Sequence, residues 1–278
     1  MSSQRSSKSK VQLALLELLG ILAALVYLFP FYIIIVNSFK TKTELFESTL
    51  GLPNTLNAVN YVEAFAQLNF LRAFSNSLLI TVVSILLLVL FASMAAWKLV
   101  RTKSRLSTFL FFMFVGAMVI PFQSVMLPLI ALLGRLELLN RVGLVLCYLG
   151  FQSSLSLFLY HGFIKNVPVE LEESATIDGA GELQIFWRVV FPILQPITVT
   201  VIILNAIWIW NDYLLPSLVI NKEGMRTIPL QIFLFFGEYT KQWHLALAGL
   251  MLAILPVIIF YFFVQKYIIR GATQGAIK

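Results

Sequence analysis

The stretch Pro168-Val-Glu-Leu-Glu-Glu-Ser-Ala-Thr-Ile-Asp-Gly-Ala-Gly-Glu182 differs from everything around it. Long apolar runs precede and follow it, and we expect all of its carboxylates to lie in water. Proline suits the first turn of a helix, and carboxylates in that turn complement the helix dipole. We therefore predict a short helix over residues 169–177, followed by a sharp turn in which Gly179 and Gly181 adopt positive φ angles.

A second amphipathic piece follows this turn and ends at a proline. Residues 182–191 include Phe186 and Trp187, which suit a helix lying at a membrane interface before Pro192 bends the chain. The sequence thus predicts a helix–turn–helix, here called the acidic loop (residues 165–192), between two membrane spans.

Composition excludes an ordinary soluble domain. Apolar residues make up 59% of the chain and charged residues 12%, and the mean hydropathy is +0.89. The net charge of +7 does not indicate a nucleic-acid partner, because the basic residues cluster at the ends of apolar runs, where they set orientation. A single cysteine, Cys147, excludes a disulfide framework, and no metal site is expected. The chain is predicted to be an integral membrane protein.

The apolar runs predict an all-α polytopic membrane protein with six transmembrane helices, and the third is expected to be broken at Pro121 and Pro128. The positive-inside rule places both termini, the basic turn at residues 98–105 and the acidic loop in the cytoplasm. The predicted domains are a tail (1–10), a six-span transmembrane domain (11–267) that includes the acidic loop, and a second tail (268–278). The predicted spans are residues 11–36, 73–97, 106–133, 142–164, 193–218 and 245–267.

The acidic loop resembles a known motif. Glu173-Ser-Ala, three residues, Gly179, nine residues, then Val189-x-Phe191-Pro192 has the spacing of the EAA loop, E-A-A-x3-G-x9-I-x-L-P, of permease subunits in binding-protein-dependent ABC importers. This resemblance implies the type I permease fold, in which the loop is a cytoplasmic coupling helix that docks on an ATPase. The residues expected to contact the ATPase are Glu172, Glu173, Ser174, Ala175, Asp178, Gly179 and Pro192.

The C-terminal residues give a second match. They resemble the end of the second permease of maltose- and oligosaccharide-type importers, which has a Gln-Lys pair, a short gap and then G-x-T-x-G-A-x-K. Here the pair is Gln265-Lys266, and the pattern runs from Gly271 to Lys278. Its glycine-rich backbone is expected to be uncapped and able to approach another protein closely. The resemblance implies a second ATPase contact through Gly271, Thr273, Gly275 and Lys278.

Polar residues in two spans are candidates for the substrate path. Gln152, Ser153, Ser154 and Ser156 lie near the middle of the fourth span, where they either bond neighbouring helices or line a sugar path. Near the outer end of the fifth span, Asn211 precedes an aspartate that is costly close to hydrocarbon. The candidate substrate contacts are Gln152, Ser154 and Asn211.

No phosphate-binding G-x-x-x-x-G-K-[ST] motif occurs, so this chain is expected to hold no cofactor, while ATP and Mg are bound by partner ATPases. The resemblance implies a prokaryotic cytoplasmic membrane, a sugar substrate and three kinds of partner: a second permease, two cytosolic ATPases and an extracytoplasmic substrate-binding protein. It leaves the transported compound open among oligosaccharides, disaccharides, polyols and glycerol phosphates.

Two other classes remain as alternatives. A proton-coupled carrier would require Glu17 and Asp212 to titrate within the membrane, and its inverted repeat is not evident in the sequence. A membrane acyl- or glycosyltransferase would need a catalytic cluster, but the acidic loop has no histidine near its carboxylates. The chain is therefore predicted not to be an enzyme.

Overall fold

Every regular element in the described part of the chain is a helix. The computed structural model describes residues 7–220, 222–236 and 242–276, with side chains in 12–220, 222–236 and 242–265. No strand occurs in these residues, in agreement with the predicted all-α class. The helices are α1 (Ser7–Ser38), α2 (Lys42–Glu47), α3 (Val59–Gln67), α4 (Phe70–Arg101), α5 (Arg105–Ala117), α6 (Phe122–Arg135), α7 (Arg141–Ile164), α8 (Glu170–Ile177), α9 (Glu182–Ile185), a π-helical segment (Phe186–Val190), α10 (Phe191–Ile193), α11 (Gln195–Asn211), α12 (Leu214–Val219), α13 (Ile228–Phe233), a 3-10 turn (Leu234–Phe236) and α14 (Trp243–Ala276).

Four of these helices are long and apolar enough to cross a membrane. Two further pairs of helices meet the same criteria only when each bent pair is taken together. The four are Gln12–Ser38, Phe70–Arg101, Arg141–Ile164 and Trp243–Gln265. The bent pairs are α5 with α6, at 101°, and Glu182–Ile193 with α11, at 76°. If each bent pair is one span, the described residues contain the six spans that the sequence predicts.

The prolines break the spans at only some of the predicted places. The third span breaks before Phe122, where Pro121 is the extended N-cap of α6, but α6 continues through Pro128, so the second predicted break is wrong. The predicted span 193–218 is also wrong as a single helix, because α11 ends at Asn211 and Asp212 is extended. Pro216 explains this, since its ring would clash with the carbonyl of residue 212 in a continuous helix.

The chain forms two compact units, and the first comprises the described parts of Met1–Leu68 and Ile232–Leu255. In this unit, polar side chains bind the end of α1. The Asn60 amide donates to the carbonyls of Ser38 and Lys40, at 2.9 and 2.8 Å. The Lys40 amine is buried and donates to the Ser48 carbonyl at 2.6 Å. Backbone carbonyls that end a helix thereby gain partners away from water.

The second unit, the described parts of Asn69–Gln231 and Pro256–Lys278, contains the main core. Here α4 packs along α7, and α11 packs on both. Leu88, Leu144, Leu157 and Tyr160 are almost fully buried between these helices. Gly143 is required at the start of α7, because a Cβ there would overlap the Leu138 carbonyl. This packed core supports the helix ends that hold the acidic loop.

At its N-terminal end, α4 binds a turn within the same unit. The Asn76 amide donates to the carbonyls of Gly224 and Arg226, at 3.1 and 3.0 Å. The Ser77 hydroxyl accepts the backbone N–H of Ile228 at 2.9 Å. The polar pair at the start of the second span therefore has a structural role.

Both terminal helices extend past the predicted boundaries of the tails. Helix α1 begins at Ser7, inside predicted tail 1–10, and α14 continues to Ala276, inside predicted tail 268–278. The glycine-rich backbone that is expected to be uncapped is helical through Ala276. The limits of the predicted transmembrane domain, 11–267, stay a prediction.

Candidate functional site

The acidic loop folds as a helix–turn–helix within the second unit. Its first arm, α8 (Glu170–Ile177), is followed by a turn at Gly179, whose φ of +82° is the positive angle that the spacing predicts. The same prediction is wrong for Gly181, whose φ is −72°. Gly181 instead precedes the second arm, α9, and its N–H donates to the Gln184 side chain at 3.2 Å. One left-handed residue is enough to reverse the chain.

The second arm is anchored by aromatic packing. Phe186 is fully buried and its ring lies 5.4 Å from that of Trp97 at the end of α4. The segment Phe186–Val190 is π-helical and precedes α10, which contains Pro192. The bend into α11 lies at Leu194, two residues beyond the predicted position.

Glu172 on the first arm points into the protein. It is 8% exposed, and its Oε2 accepts the Trp97 indole N–H at 2.9 Å. Its Oε1 accepts from Arg101 Nε at 2.9 Å and lies 2.7 Å from Nη2, which also donates to the Val167 carbonyl. The prediction that every carboxylate of the loop lies in water is therefore wrong for Glu172. A guanidinium and an indole N–H replace the lost hydration.

A second ion pair joins α4 to the other arm. Lys98 Nζ donates to both carboxylate oxygens of Glu182, at 2.8 and 2.9 Å. Both side chains are largely in solvent. The end of α4 thus contacts each arm of the loop through a different cation.

The remaining residues predicted to contact the ATPase lie either in solvent or in a hollow between the two arms. Glu173 and Ser174 are exposed on α8. Ala175, Asp178 and Gly179 line one hollow of about 270 Å³ between the arms, together with Arg188. Pro192 is exposed and lies outside that hollow. The fold therefore brings three of the predicted residues together and separates Glu172 and Pro192 from them.

This loop lies within a region that matches a known family. Residues 88–274 match the family described as binding-protein-dependent transport system inner membrane component. The chain belongs to this family. The resemblance carried by the EAA-like spacing is thereby confirmed.

Curated relatives of this permease match over almost their whole length. It is 54% identical over 271 residues to the probable starch degradation products transport system permease protein AmyC of Thermoanaerobacterium thermosulfurigenes, covering 98% of this chain and 99% of that protein. It is 34% identical to the melibiose/raffinose/stachyose import permease protein MelC of Bacillus subtilis, covering 99% of each chain. It is 35% identical to the multiple sugar-binding transport system permease protein MsmG of Streptococcus mutans, covering 90% of this chain and 92% of that one. These relatives are named as transport permeases.

A solved structure shows the fold. The permease matches a chain from the crystal structure of a bacterial ABC transporter involved in the import of the acidic polysaccharide alginate, with a TM-score of 0.81 and 24% identity. The match covers 96% of this chain and 99% of the other. The predicted type I ABC importer permease fold is confirmed.

Sequence reasoning missed the residues of this permease that hold the loop. Trp97, Lys98 and Arg101 were assigned only to a span end and to a basic turn that sets orientation. A signal was present, because a basic turn and an acidic loop predicted on the same side of the membrane are complementary in charge. Spacing alone did not show which cation meets which carboxylate.

No hydrogen bond among the described residues joins the candidate substrate contacts of the permease. Gln152 and Ser154 are buried in α7. Ser156 accepts from the Asn205 amide of α11 at 3.1 Å, which is the interhelical bonding that the sequence left open for these polar residues. The Asn211 amide donates to the Ile207 carbonyl of its own helix. Their role in a sugar path stays a prediction.

Asp212 has a structural partner. Its Oδ2 accepts the Tyr148 hydroxyl at 2.9 Å, and its Oδ1 accepts the backbone N–H of Leu214 at 3.0 Å. These bonds hold the break between α11 and α12 against α7. Neither the described residues nor the relatives support the proton-coupled alternative.

The predicted C-terminal contact with the ATPase falls where the structure describes the backbone as far as residue 276 but no side chains. Gly271, Thr273 and Gly275 fall in the helical backbone of α14, beyond the last described side chain. Lys278 lies outside the described residues. Their contact with an ATPase stays a prediction.

Proposed function

We propose that this permease forms the translocation path of an ATP-driven importer for oligosaccharides, together with a second, unlike permease. The full-length similarity to permeases named for starch degradation products and for raffinose-type sugars supports this substrate class. The partners would be two cytosolic ATPases, which bind ATP and Mg, and an extracytoplasmic substrate-binding protein. The chain itself would hold no cofactor.

The exposed face of α8 is the observation that carries the proposed coupling role. Ile177 is 86% exposed, and Leu171 is also exposed, while the carboxylates of Glu173 and Asp178 lie beside them in solvent. A short helix that presents apolar and acidic side chains together suits docking into a groove of another protein. We infer that this groove belongs to the ATPase.

The bonds of Glu172 would relay ATPase motion into the membrane. Because Glu172 binds Trp97 and Arg101, a displacement of α8 would be transmitted to the end of α4. Helix α4 packs along α7 and against α11 in the core of this unit. Closure of the ATPases would therefore shift the central spans rather than only the loop.

Orientation follows from the same proposal. The acidic loop and the basic turn at 98–105 would face the cytoplasm, where the ATPases are, as the positive-inside rule also favours. With six spans, both termini would lie on that side. The location would be the cytoplasmic membrane of a prokaryote.

Uptake by a strain that lacks this gene tests the function. We expect the deletion to abolish uptake of labelled maltotriose and a plasmid copy to restore it, while glutamate uptake is unchanged. Uptake should stop when ATP is depleted and persist when the proton gradient alone is collapsed. Unchanged maltotriose and raffinose uptake in the deletion strain would refute the substrate class, and dependence on the proton gradient would refute the importer type.

A matched pair of glycine variants tests the coupling geometry. A side chain has room at both Gly179 and Gly181, but only Gly179 has a positive φ. A β-branched residue is strained there. We expect Gly179→Val to abolish uptake and recovery of the ATPase with the purified permease, and Gly181→Val to retain both. Equal behaviour of the two variants would contradict the proposed role of the turn.

A further inference from the structure

The basic turn between α4 and α5 contains more cations than the acidic loop neutralises. Lys98 and Arg101 pair with Glu182 and Glu172. Lys103 and Arg105 make no ion pair in the described part of the chain, nor does Lys165 at the end of α7. These three side chains line a hollow of about 500 Å³, here called the basic hollow, together with Ser107, Thr108, Phe111, Phe112 and His161 among others.

The lining of the basic hollow suits an anion. None of its lining residues is acidic. It lies at the N-terminus of α5, a helix of 13 residues, where the Ser104 hydroxyl accepts the Ser107 N–H at 3.1 Å. The remaining free N–H groups of the first turn add a partial positive charge. Cations, hydroxyls and a helix N-terminus therefore converge on one space.

A histidine adds a further polar group to the lining of the basic hollow. His161 is only 7% exposed, and it stacks on Phe111 with ring centroids 3.8 Å apart. Its ring nitrogens make no hydrogen bond to any described residue, although the ring lines the basic hollow. The ring is therefore placed to offer a hydrogen bond to an anion that enters the hollow.

The surroundings identify the source of the anion. Phe112 lines the basic hollow and is 64% exposed, and Leu106 and Phe109 on the same helix are equally exposed. This apolar surface suits lipid chains and adjoins the cations directly. Basic pockets between membrane helices bind the headgroups of acidic lipids. We propose that the basic hollow binds the phosphate of an anionic phospholipid, whose acyl chains lie along the exposed face of α5.

Lipid retention tests this site on the full chain with its co-purifying subunits. Native mass spectrometry would compare phosphatidylglycerol with phosphatidylcholine added to the detergent-purified complex. We expect phosphatidylglycerol to be retained preferentially, and Lys165→Gln and Arg105→Gln each to weaken its binding about fivefold. Lys222→Gln removes an exposed cation outside the hollow and should leave binding unchanged.

Further measurements separate the possible outcomes. Arg105→Lys keeps the charge and should retain the lipid, and each variant must elute like the unaltered complex on size exclusion. Equal retention of the two lipids, or no effect of Lys165→Gln and Arg105→Gln, would overturn the site. Retention of inorganic phosphate by a complex that does not retain phosphatidylglycerol would identify free phosphate as the ligand and overturn the lipid assignment.

Discussion

The first arm of the acidic loop, α8, and the second arm, α9, are both joined to α4 by an ion pair, but the pairs differ in burial. The side chains of Arg101 and Glu172 are 20% and 10% exposed, whereas those of Lys98 and Glu182 are 56% and 74% exposed. An exposed pair contributes little, while breaking a buried pair leaves an uncompensated charge. The difference teaches that the first arm is fixed to α4 electrostatically and the second mainly by packing of Phe186.

This comparison bears on coupling. On α8, Glu173 faces solvent, and the residue before it, Glu172, is bound to Arg101 of α4. If a partner binds Glu173 and moves α8, the adjacent Glu172 would therefore transmit that motion directly to α4. The exposed pair on the second arm can open at little cost if the arms move apart.

Replacing Arg101 should have the largest effect on stability. Arg101→Met leaves the Glu172 carboxylate buried with only the Trp97 N–H as partner. We expect the free energy of unfolding to fall by about 3 kcal/mol. The thermal midpoint can be followed by labelling of Cys147, a buried thiol that reacts only after unfolding, and we expect it to fall by roughly 6–12 °C.

A double variant separates charge burial from loss of packing. Arg101→Met combined with Glu172→Met removes both charges and should recover most of the lost midpoint, because an apolar pair needs no hydration. A double variant as unstable as Arg101→Met alone would show that the ion pair does not explain the effect.

Removing the indole donor should cost less. Trp97→Phe keeps a ring against Phe186 but deletes the N–H bond to the Glu172 carboxylate. We expect a loss of about 1.5 kcal/mol in the same labelling assay. Trp187→Phe is the matched control, because Trp187 is half exposed on the same loop, and its midpoint should not change. Equal losses in the two variants would argue against a special role for the buried N–H.

Breaking the exposed Lys98–Glu182 pair should lower stability only slightly, and the size of this effect should depend on salt. Lys98→Met is expected to lower the free energy of unfolding by less than about 0.5 kcal/mol at low ionic strength. At about 1 M salt the difference from the unaltered chain should vanish, because charges in solvent are then screened within a few ångströms. A loss as large as that of Arg101→Met, unchanged by salt, would erase the contrast between the arms.

The outline of the loop was predictable because its determinants are local. Gly179 ends α8 with a positive φ, and this follows from residue type and spacing. Pro121 likewise marks the break before α6. The break at Asp212 was missed, although Pro216 four residues later gives a local reason for it.

The inward orientation of Glu172 was not predictable in the same way. Glu172 and Glu173 are adjacent and chemically alike, and a helical pattern does not show which one faces the protein. The choice depends on Arg101 and Trp97, which are remote in sequence and reach the loop only through the packing of α4 on α7. Tertiary packing therefore decides which carboxylate remains available to a partner.

The smallest expected effect on stability, at Glu173, is the most informative about function. Glu173 is exposed, and its carboxylate has no hydrogen bond or ion pair within the described residues. Glu173→Gln should therefore change the free energy of unfolding by less than about 0.5 kcal/mol. If this carboxylate bonds the ATPase, maltotriose uptake should nevertheless fall about tenfold, the size expected for losing a charged hydrogen bond. Glu170→Gln, one turn earlier on α8 and also exposed, should retain stability and uptake. Normal uptake by Glu173→Gln would mean that the face of α8 contacts its partner through Ile177 and other apolar side chains instead.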